Sequence, residues 1–272
     1  MLSGETGTLA LGLIIAGAVS GLTAGMLGVG GGIVVVPVLY HVLSLIGVDE
    51  NVRMHIAIGT SLATIIPTAF SSVQAHNRKG SVDWNMLRRW FVPMLIGVLA
   101  GSALAGIARG QTLSIVFVCV AIPVAFHLAF GHEDRRLADR LPEGPIGFTL
   151  PALIGGLSTM MGIGGGTIGV PVMTLFGMPI HRAVGTASAF GVIISIPGTI
   201  GAIVSGWGIH GLPAWSLGYV NLLGFLLIAP VSFFAAPFGA HIAHEMDRRK
   251  LRAVFALFIS VTAARMLYDA LA

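Results

Sequence analysis

Two copies of one glycine-rich signature carry the clearest chemistry in this chain. Gly28-Val29-Gly30-Gly31-Gly32 precedes Pro37, and Gly162-Ile163-Gly164-Gly165-Gly166 precedes Pro171. The copies lie 134 positions apart in 272 residues, close to half the length. Consecutive glycines let backbone N–H groups approach a ligand with no Cβ in the way. A helix that begins just after them presents unpaired N–H groups and a partial positive charge. Pro37 and Pro171, in or near the first turn, are tolerated at such a start. Two starts of this kind facing each other suit an anion and avoid burying an arginine, which is expensive in a membrane. On this reasoning Gly30, Gly31, Gly32, Gly164, Gly165 and Gly166 line one central anion site. The competing use of glycine is close helix packing. Gly17, Gly21 and Gly25, and the pair Gly97 and Gly101, fit packing by their four-residue spacing. A packing motif has no need to break two helices at equivalent points beside a proline. A nucleotide-binding loop fits poorly, because no Lys-Ser/Thr follows and no strand precedes.

A second element repeats as Gly59-Thr60-Ser61 and Gly185-Thr186-Ala187. The hydroxyls of Thr60, Ser61 and Thr186 can donate to the same anion, or can bond back to helix carbonyls. The apolar runs hold almost no carboxylates. Asp49, Glu50 and Asp83 fall in loops, Glu133, Asp134, Asp139 and Glu143 in a central linker, and Glu245 and Asp247 at a helix end. Proton- or sodium-coupled carriers usually place a carboxylate in the core. Coupling here is therefore expected to ride on the substrate's own protonation or to be absent. His41, His127 and His241 read as interfacial or packed side chains. Cys119, the single cysteine, can form neither an internal disulfide nor a metal site. No metal and no cofactor is expected. The lack of any catalytic constellation favours a transporter over a membrane-embedded enzyme or an assembly subunit.

The elements that position these residues are membrane helices. Hydrophobic residues make up 55% of the chain and charged residues 10%, against about 25% charged in soluble domains. Mean hydropathy is +0.92. The expected elements are 8–27, 33–47, 56–75, 88–108 and 111–130, then 146–161, 167–178, 183–205, 215–244 and 252–271. Most approach the roughly 20 residues that cross a bilayer. The second element of each half is short. A 14-residue helix spans about 21 Å, less than the roughly 30 Å hydrocarbon core, so these elements form re-entrant hairpins at the glycines or tilted spans.

Charge sets the orientation. The net charge of +4 does not point to nucleic acid, because the basic residues sit in short loops. Of 15 lysines and arginines, 12 fall in the loops at 76–89, the central linker, Arg182 and 248–252; these loops are assigned to the cytoplasm. The segment from Gly59 runs into the basic loop at 76–89. Its counterpart from Gly185 runs into the uncharged loop at 206–214. Equivalent ends thus face opposite sides, which describes an inverted-topology repeat. The expected fold is all-α and polytopic, with two inverted repeats of about five elements each: 1–131, a cytoplasmic linker at 132–145, and 146–272. Both termini are expected outside the cytoplasm. The expected partners are the bilayer and a second copy of the chain through small-residue faces such as Gly97/Gly101.

The doubled Gly-x-Gly-Gly-Gly-x4-Pro, the Gly-Thr-Ser or Gly-Thr-Ala that follows each copy, and the two-half layout resemble the sulfite exporter TauE/SafE family of bacterial membrane permeases. The resemblance runs from about Leu9 to Leu271. It implies a multi-pass protein of the bacterial inner membrane that carries small sulfur-containing anions such as sulfite or organosulfonates. Ala187 stands where the first half has Ser61, which sets the two hydroxyl sites apart.

Overall fold

A computed structural model describes residues 2–28, 30–130, 138, 142–242 and isolated positions between 256 and 268. The described elements, in order, are α1 (Leu2–Leu27), α2 (Gly32–Leu45), α3 (Glu50–Arg78), α4 (Trp84–Ile107), α5 (Gly110–Phe130), α6 (Gly144–Met161), α7 (Gly166–Leu175), α8 (Ile180–Ser205), β1 (Ser216–Leu217), β2 (Val220–Asn221) and α9 (Leu222–Ile242). Of the expected helix at 252–271, the described positions, Ala256, Leu257, Ser260, Val261, Ala263, Ala264 and Tyr268, are helical; most of the linker at 132–145 lies outside the described residues.

Six of the helices are long and apolar enough to cross a membrane. Their outer faces expose Leu99, Ile107, Ile200, Val204, Phe234 and Phe238, a surface that lipid rather than water covers. This is a polytopic, helical membrane architecture. At its centre α3 packs against α8. Trp90 of α4 stacks on Phe190 of α8, with centroids 5.7 Å apart.

Two expectations need correction. The run at 215–244 is not one helix: its first residues form the antiparallel β1–β2 hairpin, with Ser216 paired to Asn221. Trp215 and Gly218 take φ of 63° and 55° there, which turns the chain out of helical geometry. Asn221 then caps α9, its Oδ1 accepting from the Gly224 N–H at 2.8 Å. The prolines are also deeper than expected. Pro37 and Pro171 sit inside α2 and α7, past the first turn. Each lacks the N–H that would bond the carbonyl four residues back, so Ile33 and Thr167 lose that helical partner.

The packing is reciprocal between the halves. α1 lies along α9 as α6 lies along α4. Small residues line both seams: Gly17, Gly21 and Gly25 meet Ile228, Ser232 and Ala236, while Gly97 and Gly101 meet Ala152 and Gly156. The Gly97/Gly101 face is thus used within the chain, and self-association has to use another surface. The loops follow the same rule. The Thr60 hydroxyl accepts from the Asn221 N–H at 2.8 Å, and the Thr186 hydroxyl from the Asp83 N–H at 3.0 Å. Asp83 caps α4 by accepting from the Met86 N–H, as Asn221 caps α9.

Candidate functional site

The two glycine signatures meet. A Cβ built on Gly30 would lie 3.0 Å from the Gly164 Cα. One on Gly32 would press on the Gly162 carbonyl and lie 2.9 Å from the Ile163 Cα. All six candidate glycines are buried. Gly31 and Gly165 are the N-cap residues of α2 and α7, with φ of 74° and 76°. Only glycine adopts that left-handed region without strain. Neither helix start receives a side-chain cap, whereas Asp49 and Asp83 cap α3 and α4. The contrast matters because the first N–H groups of a helix need partners. Two buried helix starts therefore converge with their N–H groups uncapped by side chains.

Ser61 joins this centre. Its hydroxyl donates to the Gly162 carbonyl at 2.7 Å, a bond that Ala187 cannot make to the first signature. Thr60 and Thr186 are fully buried and lie on α3 and α8 next to the signatures. Gly28 packs on the Val184 carbonyl and Gly162 on Ile58, each two residues before one of those threonines. Their oxygens accept from Asn221 and Asp83, as described above. Ser61, Thr60 and Thr186 thus bond across the fold rather than back to their own helices.

Two histidines were missed in the sequence. His55 lines a cavity of about 20 Å³ among α3, α4, α5, α6, α8 and the hairpin. Its ring nitrogens lie 3.1 Å from the Asn51 and Ala108 carbonyls, and the ring stacks on Tyr219 at 4.8 Å. A signal for it existed, because His55 and His181 both stand four residues before the repeated Gly-Thr. His76 is buried at the far end of α3, its Nε2 3.0 Å from the Gly25 carbonyl. It has no histidine counterpart in the second half, so repetition could not reveal it. Among the described residues no three His, Cys, Asp or Glu side chains gather to hold a metal.

The sequence matches the description Sulfite exporter TauE/SafE over residues 13–266. The chain belongs to this family of membrane transporters. A Haemophilus influenzae relative, named as a probable membrane transporter protein, is 32% identical over 253 residues, covering 93% of this chain and 96% of the relative. A Bacillus subtilis protein named as a probable membrane transporter, YunE, is 25% identical over 276 residues, covering 94% and 97%. A similarly named Methanocaldococcus jannaschii protein is 24% identical over 256 residues, covering 94% of each chain. No solved structure is significantly similar. Family and relatives agree on transport, so the TauE/SafE chain is a transporter and not an enzyme.

Proposed function

We propose that this TauE/SafE protein is a permease for small sulfur-containing anions, such as sulfite or organosulfonates, working in the bacterial inner membrane. The anion binds where the two glycine signatures meet. Gly30, Gly31, Gly32, Gly164, Gly165 and Gly166 supply backbone N–H groups, and the O–H groups of Thr60, Ser61 and Thr186 add donors as the site rearranges around the ligand. The observation that carries this reading is the contact between two buried helix starts that no side chain caps. An oxyanion in low dielectric needs several donors, and each unsatisfied polar group there costs several kcal/mol. Converging N–H groups meet that need with no buried cation.

The two halves, 1–131 and 146–272, are two inverted repeats around this site, joined by a cytoplasmic linker. The reciprocal Thr60–Asn221 and Thr186–Asp83 bonds support a two-fold relation, since exchanging the halves exchanges the bonds. The opposite charge of equivalent loops supports inversion across the membrane. α2 and α7 are short, 14 and 10 residues, which fits re-entrant elements that end near mid-membrane. The test is a panel of sulfite, organosulfonates, sulfate and chloride on purified protein, read as a thermal shift. Stabilisation by sulfite or an organosulfonate at concentrations where chloride has no effect is the expected result. Equal response to every salt would sink the sulfur assignment.

A further inference from the structure

The reciprocity of the halves breaks at Ser61 and Ala187, and again where α3 and α8 end. The Tyr219 N–H donates to the Ala202 carbonyl at 3.2 Å, and the Ser81 N–H donates to the His76 carbonyl at 3.2 Å. Ala202 and His76 are therefore equivalent positions on α8 and α3, as are Tyr219 and Ser81 on the loops they meet. Ala202 and Tyr219 line the 20 Å³ cavity, together with Ser102, Thr159 and Gly198. That cavity starts at the end that carries the 206–214 loop, beside the hairpin, and reaches Ile58, which packs on Gly162 of the second signature. At the equivalent seam on the basic end, the large imidazole of His76 replaces the methyl of Ala202. It is 4% exposed and bonds across to Gly25 of α1, three residues before the first signature.

The hydroxyls divide the same way. Among the described residues, the buried side-chain atoms without a hydrogen-bond partner are those of Ser102, Ser158, Thr167, Ser195 and Thr199. They lie on α4, α6, α7 and α8, and of the five, Ser102 lines the cavity, where Thr159 donates to the Gly155 carbonyl. On the related helices α3 and α9, Ser71, Ser72 and Ser232 each donate to a carbonyl of a neighbouring helix. Buried hydroxyls without partners await water or a ligand oxygen. The cavity has room for one water molecule, too little for an oxyanion until the seam widens.

We propose that these two seams are the two ends of one oxyanion route, and that His76 is the plug that shuts the basic end. The route rests on the transport reading above. The cavity beside Ser102 is the entrance from the end that carries the 206–214 loop, with the Ser102 hydroxyl already unpaired. The His76 seam is its closed counterpart, and a transport cycle exchanges the two conditions across the glycine site.

Thiol labelling tests this without any substrate, so its outcome is separate from that of flux. In a Cys119→Ala background, Ser102→Cys and Ser72→Cys report on the two seams through their reaction rates with 2-aminoethyl methanethiosulfonate. The expected rate at residue 102 is at least tenfold that at residue 72. Adding His76→Ala should bring residue 72 to within about threefold of residue 102, while His76→Gln, which keeps the donor and most of the bulk, should leave it slow. The reverse exchange, Ala202→His, should slow labelling at residue 102 at least fivefold. Equal rates at the two positions in the parent overturn the proposal. So does an unchanged slow rate at residue 72 in His76→Ala protein that elutes like the parent, or an unchanged rate at residue 102 in Ala202→His protein.

Discussion

Gly31 and Gly165 do more than permit close packing. Each holds a left-handed backbone at the start of a buried helix, and a Cβ at either would meet a neighbour: the Ser20 backbone and hydroxyl for Gly31, the tip of Ile194 and the Phe190 Cβ for Gly165. A left-handed conformation costs an alanine about 1–2 kcal/mol before any clash. Gly31→Ala and Gly165→Ala are expected to abolish the thermal shift produced by the anion, with the folded fraction measured separately. Gly101 is the control. It lies against the backbone of Gly156 with ordinary helical geometry, so Gly101→Ala should lower the melting temperature and leave the anion shift intact. If all three variants respond to anion as the parent does, the six signature glycines are packing residues.

At the scale of elements, a few crossed hydrogen bonds tie helix to helix. Thr60 holds the start of α9 and Thr186 the start of α4. Thr60→Val and Thr186→Val each strand a backbone N–H, at about 1–3 kcal/mol. Similar losses of thermal stability are expected from both; a loss from only one would show that the two loops are not energetically equivalent. The helices themselves were legible in the sequence, because uninterrupted apolar runs have few other solutions in a bilayer. The breaks at the signatures were legible too, since glycine followed by proline marks a helix restart. The β1–β2 hairpin was not. Tyr219, Val220 and Asn221 continue an apolar run, and only the backbone at Trp215 and Gly218 turns it. The roles of Thr60 and Thr186 were hidden for another reason. Their partners Asn221 and Asp83 are 161 and 103 residues away, and nothing local announces a bond over that distance. Ser61 was expected at the site by its hydroxyl and its place beside the repeated Gly-Thr, and its bond to Gly162 emerged only from the fold.

For the whole molecule, opposite loop charges and reciprocal bonds both support the layout proposed above, a pair of halves inverted about a shared centre. Gly80 sits in the basic loop and Ile209 in the uncharged one. In Cys119→Ala protein, cysteines at these two positions should react with an impermeant maleimide from opposite faces of oriented membrane vesicles; reaction from the same face would remove the inversion. The exposed Cys119 is replaced first so that it adds no background. Transport through the centre of that layout is the claim on which the rest depends, and flux measures it directly. Purified protein in liposomes is expected to move sulfite or an organosulfonate down its gradient well above the rate of empty liposomes, with the movement lost in Gly31→Ala and Gly165→Ala at equal incorporation. Flux of those anions no faster than in empty liposomes, from parent protein shown to be folded, would contradict it.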